Sequence, residues 1–115
     1  MQYALLIYNP DDGAEQSQRT IAPSVAAFLA RPDVTGWIRL HAAGSATTVH
    51  HQEGRTLLTD GPFVDSKEFL GGLVVVEAAN LDGALAVAAE LTELRPGRIV
   101  AVEVRPVRGE KISGA

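Results

Sequence analysis

The strand-forming segments of this chain are apolar on both faces, yet the chain has only two helical segments to cover them. Residues 2–8 carry Tyr3, Leu5 and Ile7 on one face and Ala4, Leu6 and Tyr8 on the other, because neighbouring side chains on a strand point in opposite directions. Residues 69–78, with Leu73-Val74-Val75-Val76 at their centre, repeat the pattern. A strand apolar on both sides is buried on both sides. The fold must therefore cover its sheet twice.

The order of elements follows from periodicity and turn residues. Residues 2–8 predict a first strand, ended by Asn9-Pro10-Asp11-Asp12-Gly13. Ile21, Val25, Phe28 and Leu29 recur at helical spacing and predict a helix within 14–30. Pro23 lacks an N–H, so it belongs in a first turn, with the regular helix starting near Thr20. Arg31-Pro32-Asp33 stops it. Residues 36–42 predict a second strand. Residues 45–52 and 55–59 predict a hairpin turning at Glu53-Gly54, and 60–63 a loop. After the strand at 69–78, Asn80 caps a helix running to about Leu94. Leu81, Leu85, Ala88 and Leu91 or Thr92 are expected to face inward. Pro96-Gly97 ends that helix, 99–107 form the last strand, and 109–115 are a polar tail.

This is a β-α-β-β-α-β plan with an added hairpin: an α+β, ferredoxin-like antiparallel sheet. Right-handed crossovers put both helices on one face. The other face keeps apolar side chains, to which the row Val100, Val102 and Val104 is expected to contribute. A patch that size marks an interface. Two sheets packed face to face in a symmetric homodimer would cover it.

Composition narrows the chemistry. The chain has no cysteine, which excludes disulfides and thiolate chemistry. The net charge is −4 and the basic residues are scattered, so no nucleic-acid stripe is visible. No apolar run approaches the roughly 18–20 residues of a membrane span. The N-terminal segment lacks a basic leader and reads as a strand, not a signal peptide. A cytoplasmic location is expected, with no membrane, nucleic-acid or cofactor partner.

Asp60 stands where a strand gives way to Gly61-Pro62. Its carboxylate could serve as a general base at a cleft, or accept backbone N–H groups and fix the loop. His41 is the best acid–base candidate, since imidazole titrates near neutrality. Arg39 could hold an anionic ligand. Lys67 and Glu68 could bind an anion beside Asp60, or form a solvated loop edge. Glu103 and Arg105 share a face of the last strand and could pair within the chain or across a dimer. His50 and His51 point to opposite faces of one strand, so they cannot share a metal, and no metal site is expected. Gly71-Gly72 predicts a bulge or a close backbone approach. No Gly-x-Ser-x-Gly frame surrounds a serine.

The run Thr59-Asp60-Gly61-Pro62-Phe63-Val64-Asp65-Ser66-Lys67-Glu68-Phe69-Leu70-Gly71-Gly72 resembles the signature of the YCII-related, or DGPF-domain, family. Tyr3-Ala4-Leu5-Leu6-Ile7-Tyr8 is similar to that family's opening strand, and Val102-Glu103-Val104-Arg105-Pro106-Val107 to its closing one. The resemblance covers residues 1–108 and implies a bacterial domain that forms a dimeric α+β barrel. Some relatives carry a catalytic His–Asp pair, and a few act in breakdown of aromatic compounds, dehydrochlorination included. Others are attached to sigma factors. The catalytic relatives place a His on the first helix, and residues 20–30 here hold none. Two functions follow as expectations. One is small-molecule binding in a cleft near the Asp60 loop for cofactor-free elimination or isomerisation. There Asp60 and His41 act as base and acid, and Arg39, Lys67, Glu68 or Arg105 contact the ligand. The other is a non-catalytic dimeric interaction or regulatory module.

Overall fold

Strands β1 (Gln2–Pro10) and β5 (Glu68–Glu77) form the centre of the sheet in the computed structural model, which describes residues 1–10, 21–64 and 66–111. They pair antiparallel from Gln2↔Glu77 to Pro10↔Glu68. Strand β2 (Val34–Arg39) flanks β5, and β6 (Ala101–Pro106) flanks β1, giving the order β2-β5-β1-β6. The helices α1 (Pro23–Leu29) and α2 (Leu81–Leu94) connect the strands, as the ferredoxin-like α+β plan requires. Strands β3 (Thr47–Gln52) and β4 (Arg55–Asp60) form the added hairpin as a sheet of their own. Residues 14–20, expected to lead into the first helix, lie outside the described residues.

The core sits between the helices and one face of the sheet. Tyr3 and Leu5 of β1 and Val74 and Val76 of β5 meet Phe28 of α1 and Ala84, Val87, Ala88 and Leu91 of α2. Pro23 opens α1, where its missing N–H costs nothing. The Asn80 side chain accepts from the Gly83 N–H at 2.9 Å and starts α2. Alanines at 84 and 88 let α2 lie close against the sheet. Leu81 and Leu85, expected to face inward, consequently project from its flank, 47% and 46% exposed.

Two further expectations are corrected. Val102 and Val104 pair with Ile7 and Leu5 and pack against the helix-side core. The outward row of β6 is therefore Ala101, Glu103 and Arg105, opposite Tyr8, Leu6 and Ala4. The second strand ends at Arg39 and not at Ala42, with one last bond from the Leu40 N–H to the Gly71 carbonyl at 2.9 Å. The sheet face away from the helices thus combines apolar Leu6, Ile38, Leu73 and Val75 with a charged margin on β6.

Arg31 ties the end of α1 to the rest of the helix layer. Its Nε and Nη2 donate to Asp33 at 3.1 and 2.8 Å, its Nη1 donates to Glu90 of α2, and its guanidinium lies 5.3 Å from the Phe28 ring centroid. The hydrogen bonds from Arg31 hold the Asp33 carboxyl below its ordinary range. A carboxyl depressed in the folded state adds stability that is present above its unfolded pKa of about 3.9 and lost as pH falls through the lower folded value. Asp33→Asn is therefore expected to flatten the acid limb of a melting-temperature profile below about pH 4, with little change in how stability varies between pH 6 and 8.

The Gly71-Gly72 pair stands where β5 is irregular, with the register shifting between Ile7 and Tyr8. A Cβ on Gly72 would lie 2.9 Å from the Ile38 carbonyl oxygen, which is backbone and cannot swing aside. Gly72→Ala should lower unfolding stability by about 1–3 kcal/mol in urea titrations, the usual cost of overpacking.

Candidate functional site

One end of the sheet gathers several polar side chains around a cleft. There β1 and β2 finish, and β5 and β6 begin. On the helix side of that end lies a cleft of about 110 Å³. Its apolar walls include Ile7, Val25, Leu29, Trp37, Phe69 and Leu91, and its polar groups are Asn9, Arg39, Arg95 and Arg98. None of the described residues lining it is acidic.

Each arginine arrives by a different local device. Arg39 is the last residue of β2 and pairs with Gly72, whose other neighbour is the cleft residue Ile7. Arg95 follows the last residue of α2. The chain then reverses through Pro96-Gly97, Gly97 taking φ +81, a conformation that a side chain disfavours. The Arg98 and Ile99 N–H groups both donate to the Arg95 carbonyl at 3.0 Å. This turn returns Arg98 to the same cleft. The carbonyl end of α2 carries partial negative charge, which favours cations gathered there.

Asn9 fixes the rim. Its Nδ2 donates to the Arg98 carbonyl at 2.5 Å, tying the end of β1 to the approach to β6. The side chain crosses Gly71, where a Cβ would come within 1.7 Å of Asn9 Oδ1. The close approach expected at Gly71-Gly72 is thus present, and its use is to let Asn9 reach Arg98. Arg39 and Arg98 make further interactions within the chain. The Arg95 side chain has no hydrogen-bond or ion-pair partner among the described residues.

The residues singled out from the sequence are spread over this end and beyond it. Arg39 lies in the cleft. His41 is exposed, next to the cleft residue Leu40 and beyond the end of β2. Asp60 is the last residue of β4 and is exposed. The loop after it is held by the Gly61 N–H donating to the Ala46 carbonyl at 2.8 Å and by Thr48 Oγ1 donating to the Gly61 carbonyl at 2.8 Å. Lys67 and Glu68 are exposed where β5 begins. Arg105 is on the opposite face of the sheet, 3.8 Å from Glu103, which also accepts from the Tyr8 hydroxyl at 3.4 Å. Arg39 and Arg105 therefore cannot hold one ligand within a single chain. His50 and His51 occupy successive positions of regular β3, and His50 Nε2 is 3.2 Å from Thr59 Oγ1. Among the described residues no three His, Asp or Glu side chains converge as a metal site. Among the described residues no helix is long and apolar enough to cross a membrane.

Sequence reasoning reads Asn9 as a turn residue and Arg95 and Arg98 as scattered basic residues, and places none of them in a site. A signal was present: two arginines bracket a Pro-Gly turn at the end of a helix, which places both at one helix terminus. Read only as a stop, Pro96-Gly97 hides it.

Comparison with known proteins agrees with the resemblance. The family described as YCII-related domain matches residues 1–108. An uncharacterized protein of Rhizobium meliloti (strain 1021) is 30% identical to this chain, over 93% of it and 92% of that protein.

Asn9→Ala removes the tether between β1 and Arg98. The expected loss is about 1 kcal/mol in chemical denaturation, the ordinary worth of such a hydrogen bond. Gly71→Ala should cost more, because it displaces Asn9 and crowds the strand as well.

Proposed function

The chain belongs to the YCII-related family, and on that premise we propose that it binds a small organic anion in the arginine-lined cleft. The observation that carries this reading is the convergence of Arg39, Arg95 and Arg98 on an apolar cavity lined by no acidic residue among those described. Guanidinium groups bind carboxylate or phosphate through paired N–H donors. A dry cavity of roughly 150 Å³ holds benzene, so the buried part of the ligand is about one ring or less. Trp37 and Phe69 supply apolar contact for it. Arg39 and Arg98 share their donors with interactions already made in the chain, which leaves Arg95 as the main anchor.

Acid–base chemistry on such a ligand is the catalytic form of this reading. His41 adjoins the cleft wall at Leu40, and the Asp60 loop is bonded to Ala46, which follows the one-turn 3-10 segment Ala43–Ser45. His41 thus follows the cleft wall, and Asp60 ends the hairpin that begins after Ala46. Isomerisation needs a base that removes a proton and an acid that returns one at another atom, and elimination needs a base that removes the proton while the acid protonates the departing group; neither needs a cofactor. In this reading the working unit is a homodimer, formed through the apolar sheet face that carries Leu6, Ile38, Leu73 and Val75. The second reading, a regulatory dimer without turnover, shares the cleft and differs in the fate of the ligand.

Thermal-shift screening against small aromatic and branched aliphatic acids checks the binding. A ligand that binds only the folded state adds about 2.7 kcal/mol at a hundredfold excess over its Kd. The shift is expected in the parent protein and lost in Arg95→Gln at unchanged stability without ligand. An equal shift in Arg95→Gln would remove the cleft from the reading. Mass analysis of the recovered ligand separates turnover from regulation: conversion abolished in Asp60→Asn supports the catalytic form, and a ligand returned unchanged supports the regulatory one.

A further inference from the structure

We infer that the β3–β4 hairpin is an arm that packs on a second copy of this chain. The inference rests on the homodimer reading and adds the surface that completes it. The hairpin forms a sheet of two strands, separate from the main sheet. A lone two-stranded hairpin is marginally stable in water and needs a surface to pack against. Apart from each other, β3 and β4 make no substantial contact with another strand or helix among the described residues, and the Ala43–Ser45 segment at the hairpin's base touches β5.

The arm nevertheless carries side chains suited to burial. Val49 and Leu58 are direct cross-strand partners, so their side chains lie together on one face. They are 62% and 71% exposed. Phe63 and Val64, just past the end of the arm, are 79% and 70% exposed. Single exposed apolar residues need no explanation, but an exposed cross-strand pair on an otherwise unpacked hairpin does.

The occupant follows from the amount of exposed surface taken with its division between two separate faces. The chain exposes 8050 Å², where a monomer of 12.2 kDa ordinarily exposes roughly 6,000 Å². The excess is more than twice the roughly 800 Å² that each partner buries in a standard stable interface. The Cα radius of gyration, 15.7 Å, likewise exceeds the roughly 13 Å usual for this length. The same chain also presents a second unpartnered apolar surface, the outward sheet face, with Ile38 55% exposed. Arm and sheet face do not meet within one chain. In a two-fold assembly each copy offers both surfaces to the other, and both are covered in one step. A different protein or a small ligand would cover one and leave the other bare.

The test combines light-scattering mass over a dilution series with hydrogen exchange of the amides of residues 47–60. Leu58→Asp is compared with Ile38→Asp on the sheet face, and circular dichroism confirms that each stays folded. Val49→Asp substitutes for Leu58→Asp if that variant does not. The parent protein is expected to be a dimer with slow exchange in the hairpin. Leu58→Asp should weaken dimerisation by roughly tenfold or more, since it replaces a buried side chain with a charge, and should speed exchange in residues 47–60 alone. A Leu58→Asp protein that dimerises like the parent overturns the arm, whether or not Ile38→Asp dissociates. If Ile38→Asp does dissociate, the sheet-face dimer stands without it. A parent protein with a mass of 12.2 kDa at every concentration overturns both.

Discussion

Where β5 passes under Asn9, a methyl group on Gly71 would sit 1.7 Å from the amide oxygen, and one residue later a methyl on Gly72 would meet the Ile38 carbonyl at 2.9 Å. Those two clearances organise the end of the sheet. The first lets Asn9 cross the strand and grip the backbone at Arg98. The second lets β2 run close beside β5, so that its final residue, Arg39, reaches the helix side. Without them the three guanidinium groups would have no common cleft. The cleft is thus set by backbone proximity.

Electrostatics and packing meet at the same place. Arginines at 95 and 98 sit at the carbonyl end of α2, where the helix dipole favours positive charge. The apolar neighbours Trp37, Phe69 and Leu91 keep part of the space around them free of competing polar groups. A concave apolar surface with a few convergent polar groups is the ordinary form of a small-molecule site. Arg31 closes the helix layer elsewhere, joining Asp33 and Glu90 across the α1–α2 seam. The helix layer beside the cleft is therefore braced by groups other than the three arginines.

The fold was legible because its signals are local and mutually consistent. Alternation on β1 and β5, the Asn80 cap and the Glu53-Gly54 turn each specify one element, and the order of elements specifies the sheet. The inward face of α2 was less legible, since Leu81 and Leu85 outweigh Ala84 in hydrophobicity yet the sheet admits the smaller side chain. The row on β6 was misassigned because valines at 100, 102 and 104 look equally suited to either face; register against β1 decides it. The cleft was legible only through Arg39 and the glycine pair. Arg95 and Arg98 join it through a chain reversal and Asn9 through a contact 89 residues away along the chain, and no local pattern announces such a meeting.

The Asn9–Gly71 contact also constrains how relatives of this chain can diverge. As long as position 9 carries a side chain that spans the strand, position 71 admits no Cβ. Once position 71 gains one, the amide at position 9 has nowhere to lie. The two sites are tied so that each first step is unfavourable alone, and drift must either change both together or pass through a weakened intermediate. Homologous sequences should therefore fall into two groups at this pair, with few mixtures between them, and membership should mark whether the start of the last strand is anchored from the first.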